Sequence, residues 1–429
     1  MFHEGRLDKT LRAIKRLIPE PLFRLGAKVY HPLLSYTGAL VYGFPSRQLK
    51  VIGVTGTKGK STTVFFITHI LEASPAIGGV AAIGSLGFRI RERKWPNTLK
   101  MTMPGRWKLQ KFLRSAVKAG CTHVVMEVPS EGLAQGRHLG VHFDCAVFTG
   151  LHPEHLEAHG SLEAYRAAKQ ILFRVCHGLH VINRDDPDAD YFMNFPASKH
   201  ITYGITAGDF QAVDVRAGPQ DASFTLGRTR VHLDVGGQFN VLNALAAIAV
   251  ADAYGVPSAK AAETLESIDR IPGRMEWIQR EPFGVVVDYA HTPDSLRAVY
   301  RTLKPDGARL ICVLGAAGGG RDTWKRPEFG RIAQQYCDVI YLTDEDPFDE
   351  DPERIIEDIA AGIAESSQSS KLHRILDRKN AIAAALTDAK DGEIVIITGK
   401  GSETSLAMAG GKKIPWSDAQ TVRDFLEGR

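Results

Sequence analysis

Cysteine is scarce in this chain. Its five cysteines are scattered over 429 residues, and no two of them form a C-x-x-C pair. This dispersion excludes a zinc ribbon and a disulfide framework, and it suits a reducing cytoplasm. Long apolar runs are also missing, because no uncharged run approaches the roughly 18 residues needed to span a bilayer. We see no signal peptide at the start and expect a cytoplasmic protein.

A strong excess of either charge is absent as well. Lys and Arg number 53 against 49 Asp and Glu, which gives a net charge of +4. So small an excess gives no reason to expect a nucleic-acid partner. The length of 429 residues exceeds that of one ordinary domain, so two or three domains are expected.

The first 48 residues differ in composition from the rest. Basic residues alternate with Leu and Ile from Arg6 to Arg16, and an apolar stretch runs from Tyr30 to Phe44. We predict a short helical N-terminal segment over residues 1–48. Two interpretations stay open for it. It is either a helical arm packed on the body or a basic amphipathic helix in peripheral contact with a membrane surface.

Alternating strand and helix patterns begin at Leu49. Apolar strands such as 122–128 are followed or preceded by amphipathic helical stretches such as 162–175. This alternation predicts an α/β fold in which helices cover a mostly parallel sheet. A break at Ile271-Pro272-Gly273 precedes a second series of the same kind. We therefore predict a central P-loop-type domain over 49–272 and a C-terminal Rossmann-like α/β domain over 273–429.

The strongest motif is Val-Ile-Gly-Val-Thr-Gly-Thr-Lys-Gly-Lys-Ser-Thr, from Val51 to Thr62. Glycines after a buried strand let backbone N–H groups converge on phosphate oxygens, and the following helix start adds partial positive charge. We expect Lys60 to pair with nucleotide phosphates and Ser61 or Thr62 to ligate Mg²⁺. Val54 stands where the strict P-loop has Gly. The predicted nucleotide contacts are Gly56, Thr57, Lys58, Gly59, Lys60, Ser61 and Thr62.

This loop resembles the variant T-G-x-x-G-K-S/T-S/T of the Mur ligase and folylpolyglutamate synthase superfamily, with Lys58 in place of the usual Asn. The stretch from Met126 to Leu133 is similar to the M-E-V-S-S-H-G-L of MurE-type enzymes. The stretch from Phe148 to Gly160 resembles F-T-N-L-T-x-D-H-L-D-x-H-G. Together these resemblances imply ATP and Mg²⁺ as cofactors.

The same resemblance implies a metal and catalytic set. Glu127 ends a strand, where ligands bind in open α/β sheets, and it would hold a second Mg²⁺ with His155. Ala-Tyr-Arg-Ala-Ala-Lys resembles A-Y-x-x-A-K, whose Lys is carbamylated in many Mur ligases, and this points to Lys169. The implied catalytic residues are Lys60, Glu127, His155 and Lys169. The implied metal ligands are Ser61, Glu127, His155 and Lys169.

Further motifs imply contacts to the rest of the nucleotide. Gly-Gln-Phe-Asn-Val-Leu-Asn-Ala resembles G-x-F-N-x-x-N-A and would bring Asn243 to adenine. Pro-Gly-Arg-Met-Glu matches P-G-R-M/L-E and would place Arg274 near the phosphates. Asp-Tyr-Ala-His-Thr-Pro-Asp matches D-Y-A-H-T-P-D, which implies that Asp288 binds ribose and that His291 lies beside the nucleotide.

Substrate contacts are implied at four places. The segment from Thr343 to Pro352 stands where MurE enzymes carry S-D-N-P-R-x-E-D-P, and Phe348 replaces the Arg that pairs with the side-chain carboxylate of diaminopimelate. Diaminopimelate is therefore in doubt. The acidic neighbours either suit a cationic amino acid such as lysine or form a solvated turn. The implied substrate residues are Thr102, Ser130, Asp346, Phe348, Lys400 and Glu403.

The resemblance extends roughly from Val51 to Glu403 and is closest to the MurE group. It implies an ATP-dependent, ADP-forming ligase that joins an amino acid to a UDP-MurNAc-peptide or a related carboxylate acceptor. We expect the larger uridine-nucleotide-binding N-terminal domain of MurE enzymes to be missing, because 48 residues are too few to build it. The alternatives are a folylpolyglutamate- or cyanophycin-synthetase-like ligase and a non-catalytic ATP-binding partner protein.

Overall fold

The structure, a computed structural model, describes residues 20–99, 101–152, 159–304, 307, 309–320, 322–365 and 371–428. His155 lies outside these residues, as does the basic stretch from Arg6 to Arg16. In the described ranges, no helix has the length and apolar character needed to cross a membrane.

The chain divides into two compact units. The first contains residues 1–151, 162–212 and 242–265, and the second contains residues 152–161, 213–241 and 266–429. Both units are built on a sheet with buried apolar strands, as the alternating pattern predicts.

Eight strands lie in the first unit, and a ninth begins there at Phe210 and continues into the second unit from Val213. They are β1 (Lys50–Thr55), β2 (Val80–Gly84), β3 (Gly87–Ile90), β4 (Arg93–Trp95), β5 (His123–Glu127), β6 (Cys145–Phe148), β7 (Leu179–Asn183), β8 (Lys199–Gly204) and β9 (Phe210–Ala217). Its helices are α1 (Glu20–Val41), α2 (Lys60–Glu72), α3 (Arg106–Lys118), α4 (Ser130–Ala134), α5 (Leu162–Val175), α6 (Ala189–Met193), α7 (Gln238–Ala253) and α8 (Ser258–Glu266), with a 3₁₀ turn at Pro45–Gln48.

The order of these strands is β9-β8-β7-β6-β1-β5-β2-β3-β4. Neighbours from β9 to β2 are parallel, while β3 and β4 add an antiparallel edge. The register pairs Val54 with Glu127 and Thr55 with Phe148. Because parallel strands end at the same edge of a sheet, the loops after β1, β5 and β6 meet there.

The second unit contains the strands β10 (Ala222–Leu226), β11 (Thr229–Leu233), β12 (Glu276–Gln279), β13 (Gly284–Asp288), β14 (Leu310–Leu314), β15 (Val339–Leu342), β16 (Leu372–Arg374), β17 (Ile394–Thr398), β18 (Ser405–Ala407) and β19 (Lys413–Pro415). Its helices are α9 (Pro293–Leu303), α10 (Lys325–Tyr336), α11 (Pro352–Ala360), α12 (Arg378–Asp388) and α13 (Asp418–Leu426), with a 3₁₀ turn at Ala409–Gly411.

The main sheet of this unit has the order β12-β13-β17-β14-β15-β16 and is parallel except for β12. Apolar clusters cover both of its faces. The register pairs Asp288 with Thr398 and Leu314 with Leu342, so the loops that follow these residues leave from one edge. The predicted α/β class, with a mostly parallel central sheet and a second α/β unit, is confirmed.

One pair of cysteines departs from the expectation of no disulfides. Cys312 on β14 and Cys337, just before β15, form a disulfide bond. They are 25 residues apart in sequence, but β14 and β15 are neighbours in the sheet. Spacing alone could not reveal this pairing, because the strand order creates it. Cys121, Cys145 and Cys176 are buried free thiols.

Candidate active site

Two glycines shape the loop between β1 and α2. Gly56 has a φ of +153° and Gly59 a φ of +81°, which side chains other than that of glycine rarely adopt. A Cβ at Gly56 would stand 2.0 Å from Thr149 Oγ1, and one at Gly59 would stand 2.4 Å from Asn243 Oδ1. The loop therefore lies close against two polar side chains, Thr149 and Asn243. A cradle of this kind fits the phosphates of a nucleotide.

Helix α2 starts directly after this cradle. Gly59 is its N-cap, and its first turn contains no acidic residue. The positive end of the helix dipole is thus not neutralised by a carboxylate of its own first turn, which favours an anion there. Ser61 and Thr62 are buried in that turn, so the structure places the predicted hydroxyls next to the cradle.

Two lysines converge on the Gly56 carbonyl. Lys60 Nζ donates to the carbonyl oxygens of Gly56 (2.9 Å) and Thr57 (2.7 Å). Lys169 Nζ, from α5, also donates to the Gly56 oxygen at 2.8 Å and lies 4.3 Å from the centre of the Tyr165 ring. Lys169 is only 1% exposed. Two cations beside one glycine turn create a strongly positive spot for phosphate oxygens.

Tyr165 was not among the predicted site residues. Its hydroxyl lies 3.2 Å from Thr57 Oγ1, so α5 contacts the phosphate loop through two side chains, Tyr165 and Lys169. The two stand four residues apart, a spacing that puts them on one helix face. That spacing within the Ala-Tyr-Arg-Ala-Ala-Lys motif is the signal that could have identified Tyr165.

Glu127 is buried at the end of β5, next to Val54 of β1. Its carboxylate accepts hydrogen bonds from Ser85 N at 2.7 Å and from Ser85 Oγ at 3.2 Å. Ser85 Oγ in turn lies 3.4 Å from Thr102 Oγ1. The structure therefore joins two predicted residues, Glu127 and Thr102, through a serine that sequence reasoning missed.

Ser85 gave little signal in the sequence. It stands in a Gly-Ser-Leu-Gly turn without a motif attached to it. The only hint of a close approach at this position is the adjacent glycine, because a Cβ at Gly84 would stand 2.4 Å from Glu127 Oε1. Ser130, another predicted residue, is buried at the start of the short helix α4.

The predicted metal set is only partly visible. Glu127 and Ser61 offer the hard oxygen donors that Mg²⁺ prefers, so these two side chains fit such an ion. His155 lies outside the described residues. Within the described part of the chain, no group of three or more His, Cys, Asp or Glu side chains is arranged to hold a metal ion. The metal set stays a prediction.

Asn243 lies against the phosphate loop. It comes from α7, and its Oδ1 accepts from Thr63 Oγ1 at 3.3 Å while touching the Gly59 backbone. The side chain predicted to contact adenine thus lies against Gly59 of the loop and bonds Thr63 in the helix that follows. The amide is buried, as a shaping role requires.

In the second unit, three predicted nucleotide contacts lie around the end of β13. They are Asp288 and His291 from that strand end and Arg274 from the segment before β12. Buried Asp288 accepts from Met275 N and from Ala290 N, each at 2.7 Å. Burial raises the pKa of Asp288 above its ordinary value. The Arg274 guanidinium lies 4.4 Å from the Tyr289 ring centre, and the His291 ring lies 4.4 Å from the same ring.

The loops after β15 and β17 form a charged cluster. Buried Lys400 donates to both carboxylate oxygens of Asp346 at 2.8 Å and also bonds Glu403. Burial disfavours the ammonium ion, but Glu403 and Asp346 outweigh it and raise the pKa of Lys400. Tyr289 Oη is 3.1 Å from Glu403 Oε1, which connects this cluster to the Arg274 side of the unit.

Glu345 lies in the same cluster and was not predicted. Burial raises its pKa to about 7, although Lys400 and Arg378 pull it down. Its Oε2 has no hydrogen-bond partner among the described residues. The sequence showed only an acidic run there, which gave no hint that one carboxylate is buried.

Phe348 begins the turn after this acidic run. It has a φ of +52°, and its N–H donates to the Ala407 carbonyl at 3.1 Å. The half-buried ring lies against Gly319, where an added Cβ would stand 3.5 Å from it. An aromatic ring therefore occupies the place at which the resemblance would have an arginine.

Comparison with known proteins agrees with this architecture. A family model described as "Mur ligase middle domain" matches residues 54–251, and one described as "Mur ligase, glutamate ligase domain" matches residues 273–401. A solved structure of a UDP-N-acetylmuramoyl-L-alanyl-D-glutamate–2,6-diaminopimelate ligase is 34% identical with a TM-score of 0.61. The match covers 89% of this chain and 78% of that one.

Two curated relatives are similar over most of their length. The UDP-N-acetylmuramyl-tripeptide synthetase of Roseiflexus sp. (strain RS-1) is 38% identical, over 95% of this chain and 84% of that protein. The UDP-N-acetylmuramoyl-L-alanyl-D-glutamate–2,6-diaminopimelate ligase of Geobacillus thermodenitrificans (strain NG80-2) is 37% identical, over 90% of this chain and 81% of that protein.

The phosphate cradle and the two sheets define an ATP-dependent acid–amino-acid ligase. The chain belongs to the Mur ligase family, within which its relatives are of the MurE type.

Proposed function

We propose that this ligase uses ATP to join an amino acid to the carboxylate of a UDP-MurNAc-peptide, in the cytoplasm and as part of cell-wall peptide synthesis. The acceptor carboxylate attacks the γ-phosphate of ATP, which gives an acyl phosphate and ADP. The amine of the amino acid then attacks the acyl carbon, forms the amide bond and releases phosphate and a proton.

One arrangement carries this proposal. The glycine cradle, the two lysines on the Gly56 carbonyl and the buried Glu127 lie at neighbouring strand ends of one sheet. Lys60 and the start of α2 would hold the phosphates and stabilise the charge that spreads over them during transfer. Lys60 donates to two carbonyl oxygens of its own loop, which keeps its ammonium group at the cradle, and a phosphate there would be a charged acceptor.

Mg²⁺ fits the proposal as a second source of positive charge. Ser61 would hold one Mg²⁺, and Glu127 and His155 would hold a second, which Lys169 would support only if CO₂ converts its amine into a carbamate. When bound, the ions would neutralise phosphate oxygens and let two anions approach each other. Ser85 would orient Glu127 for this, because it bonds both carboxylate oxygens.

The acceptor and the amino acid have separate candidate contacts. Thr102 and Ser130 are proposed for the acceptor, since Thr102 adjoins the cluster of Ser85 and Glu127. Asp346, Phe348, Lys400 and Glu403 are proposed for the amino acid. Asn243, Arg274, Asp288 and His291 are proposed for the nucleotide, and Asn243 also contacts the phosphate loop.

Product analysis tests the proposal. Purified protein is supplied with ATP, UDP-MurNAc-dipeptide and, in separate reactions, each standard amino acid or diaminopimelate. Mass spectrometry should find one or a few tripeptide products, accompanied by ADP. The Lys60→Ala and Glu127→Ala proteins should lose at least about a hundredfold in rate, as expected for groups that stabilise transferring phosphate.

Two outcomes would refute the proposal. Product formation at the unmodified rate by Lys60→Ala would exclude the phosphate cradle from the reaction, and by Glu127→Ala it would exclude the buried carboxylate. ATP hydrolysis that no acceptor or amino acid stimulates would favour an ATP-binding partner protein. A Lys199→Ala protein, altered at an exposed lysine of β8, serves as the matched control and should keep full activity.

A further inference from the structure

Helix α1 exposes an apolar stripe. Five of its large apolar residues are about half exposed or more, at 45% for Tyr30, 62% for Leu33, 51% for Tyr36, 68% for Leu40 and 63% for Val41. At 100° per residue these five positions fall within an arc of about 140° on the helix. Single apolar residues on a surface need no explanation, but a continuous stripe marks an interaction site.

The opposite side of α1 is already packed. It carries small residues, and a Cβ at Gly38 would touch the Trp107 ring at 3.3 Å. Ser35 Oγ donates to the Gly136 carbonyl at 2.9 Å, and buried Ala39 lies against Gly140. The helix thus packs on the body through Ser35, Gly38 and Ala39 and leaves the five large apolar residues of the stripe exposed. The side of α1 that faces the core is therefore a different side from the one that carries the stripe.

A row of one tryptophan and three basic residues runs along α3, next to the end of α1. Trp107, Lys111, Arg114 and Lys118 follow one another at intervals of four, three and four residues, so they share one helix face. Trp107 is 40% exposed, and its ring meets that of Tyr42 edge-on at 6.3 Å. Arg114 donates to the carbonyls of Tyr42 at 2.7 Å and Gly43 at 2.9 Å. Both contacts fix this row against the end of α1.

The charge of this region is one-sided. Helix α3 contains five basic residues and no acidic one. Residues 1–48 contain eight Lys and Arg against three Asp and Glu, whereas the other 381 residues contain 45 against 46. The whole positive excess of the chain therefore belongs to the segment that carries the stripe. Such a distribution matches a negatively charged partner surface.

We propose that this α1–α3 face (Tyr30, Leu33, Tyr36, Leu40 and Val41 with Trp107, Lys111, Arg114 and Lys118) binds the surface of an anionic phospholipid membrane. The aliphatic side chains would enter the boundary between headgroups and acyl chains, and Tyr and Trp would lie at headgroup level. The exposed Lys111 and Lys118 would meet the lipid phosphates, while Arg114 holds the end of α1 in place. The proposal does not depend on the ligase reaction.

Vesicle sedimentation tests this inference with the full chain. We expect the protein to sediment with vesicles of equal parts phosphatidylglycerol and phosphatidylcholine and to stay in solution with phosphatidylcholine alone. High salt should weaken binding because it screens Lys111 and Lys118. Leu33→Asp combined with Leu40→Asp should weaken binding by about tenfold or more. Lys111→Ala and Lys118→Ala should each weaken it by about fivefold.

Matched controls distinguish binding through this face from nonspecific binding through other exposed apolar residues. Val213→Asp changes another exposed apolar residue, 48% exposed on β9, and should bind vesicles as the unmodified protein does. Brominated lipids should quench tryptophan fluorescence, and Trp107→Phe should remove most of that quenching. All variants should keep ligase activity in solution, since none of these residues touches the proposed site. The aspartate and alanine variants change exposed side chains and should also keep their melting temperature.

Three results would overturn the inference. The unmodified protein could remain in solution with anionic vesicles. The Leu33→Asp, Leu40→Asp protein could bind them with unchanged affinity. Sedimentation velocity could instead reveal self-association that this double substitution abolishes, in which case a second copy of the chain occupies the stripe.

Discussion

Lys400 Nζ lies 2.8 Å from each carboxylate oxygen of Asp346, and its side chain is 1% exposed. The lysine also bonds Glu403, so one buried cation faces two carboxylates. An acidic side chain that seemed suited to a cationic amino acid is therefore already paired inside the protein. A lysine substrate would have to compete with Lys400 for Asp346 or use Glu403.

Removing Lys400 should cost more than removing the whole pair. Lys400→Met leaves a mostly buried carboxylate without its cation, and we expect a loss of about 3 kcal/mol in the free energy of unfolding. Adding Asp346→Asn to this variant should recover part of the loss, because the orphaned charge disappears. Urea denaturation of the four proteins in the cycle measures the coupling. A double variant that is as unstable as the sum of the single ones would contradict the pairing.

Glu345 should make stability depend on pH. The folded protein holds this proton more tightly than the unfolded chain does, since its pKa is about 7 against an ordinary value of 4.5. The stabilisation of the folded state by the protonated Glu345 carboxyl is thus fully present below about pH 4.5 and is lost as pH rises through 7. Glu345→Gln should be more stable than the unmodified protein at pH 8, by about 3 kcal/mol at most.

Urea denaturation between pH 5 and pH 8 checks this expectation. Glu353→Gln, at an exposed position of α11, is the matched control and should leave the pH profile as it is. If the unmodified protein and Glu345→Gln kept the same stability difference at every pH, Glu345 would not titrate as expected.

Gly59→Ala should damage the phosphate loop for two separable reasons. The left-handed backbone costs about 1–2 kcal/mol with a side chain, and the new Cβ would collide with Asn243 Oδ1. Gly227→Ala isolates the first effect, because Gly227 also has a positive φ of +57° and open space around it. We expect Gly59→Ala alone to lose affinity for a fluorescent ATP analogue, by about tenfold or more.

Asn243→Ala in the same protein should restore part of that affinity by removing the collision. An affinity loss as large in Gly227→Ala would mean that global destabilisation, rather than the loop, is measured. Melting curves of all variants with and without nucleotide provide the second readout.

Phe348→Arg should improve the use of diaminopimelate. An arginine there could pair bidentately with the distal carboxylate, which a phenyl ring cannot do. We expect kcat/KM for diaminopimelate to rise by about tenfold relative to that for lysine, as measured by phosphate release. Phe348→Leu is the control, since it meets the same backbone φ of +52° without adding a charge. An unchanged ratio in Phe348→Arg would place the amino-acid side chain elsewhere.

Local pattern was enough to predict much of the fold. The helix expected over 162–175 has those bounds, and α2 begins at Lys60, inside the motif whose glycines were expected to lead into a helix. Helix α5 carries a clear apolar periodicity, and α2 follows directly on the glycine motif, so a local signal was available for each. The phosphate loop, Lys60 and Glu127 were predicted because each belongs to a contiguous motif.

Features made by strand order could not be predicted. Ser85 meets Glu127 because β2 and β5 are neighbours, and Cys312 meets Cys337 because β14 and β15 are. Burial of Glu345 likewise depends on the loops from three strand ends that enclose it. A single sequence contains these residues but does not tell which strands lie side by side.

Asn243 reaches the phosphate loop from 180 residues further along the chain, where it bonds Thr63 and presses on Gly59. During synthesis on the ribosome, the loop emerges long before α7 does. The nascent protein therefore cannot give its nucleotide cradle the final shape until more than half of the polypeptide has been made. Competence to bind ATP would come late in translation, after most of the first unit has left the exit tunnel.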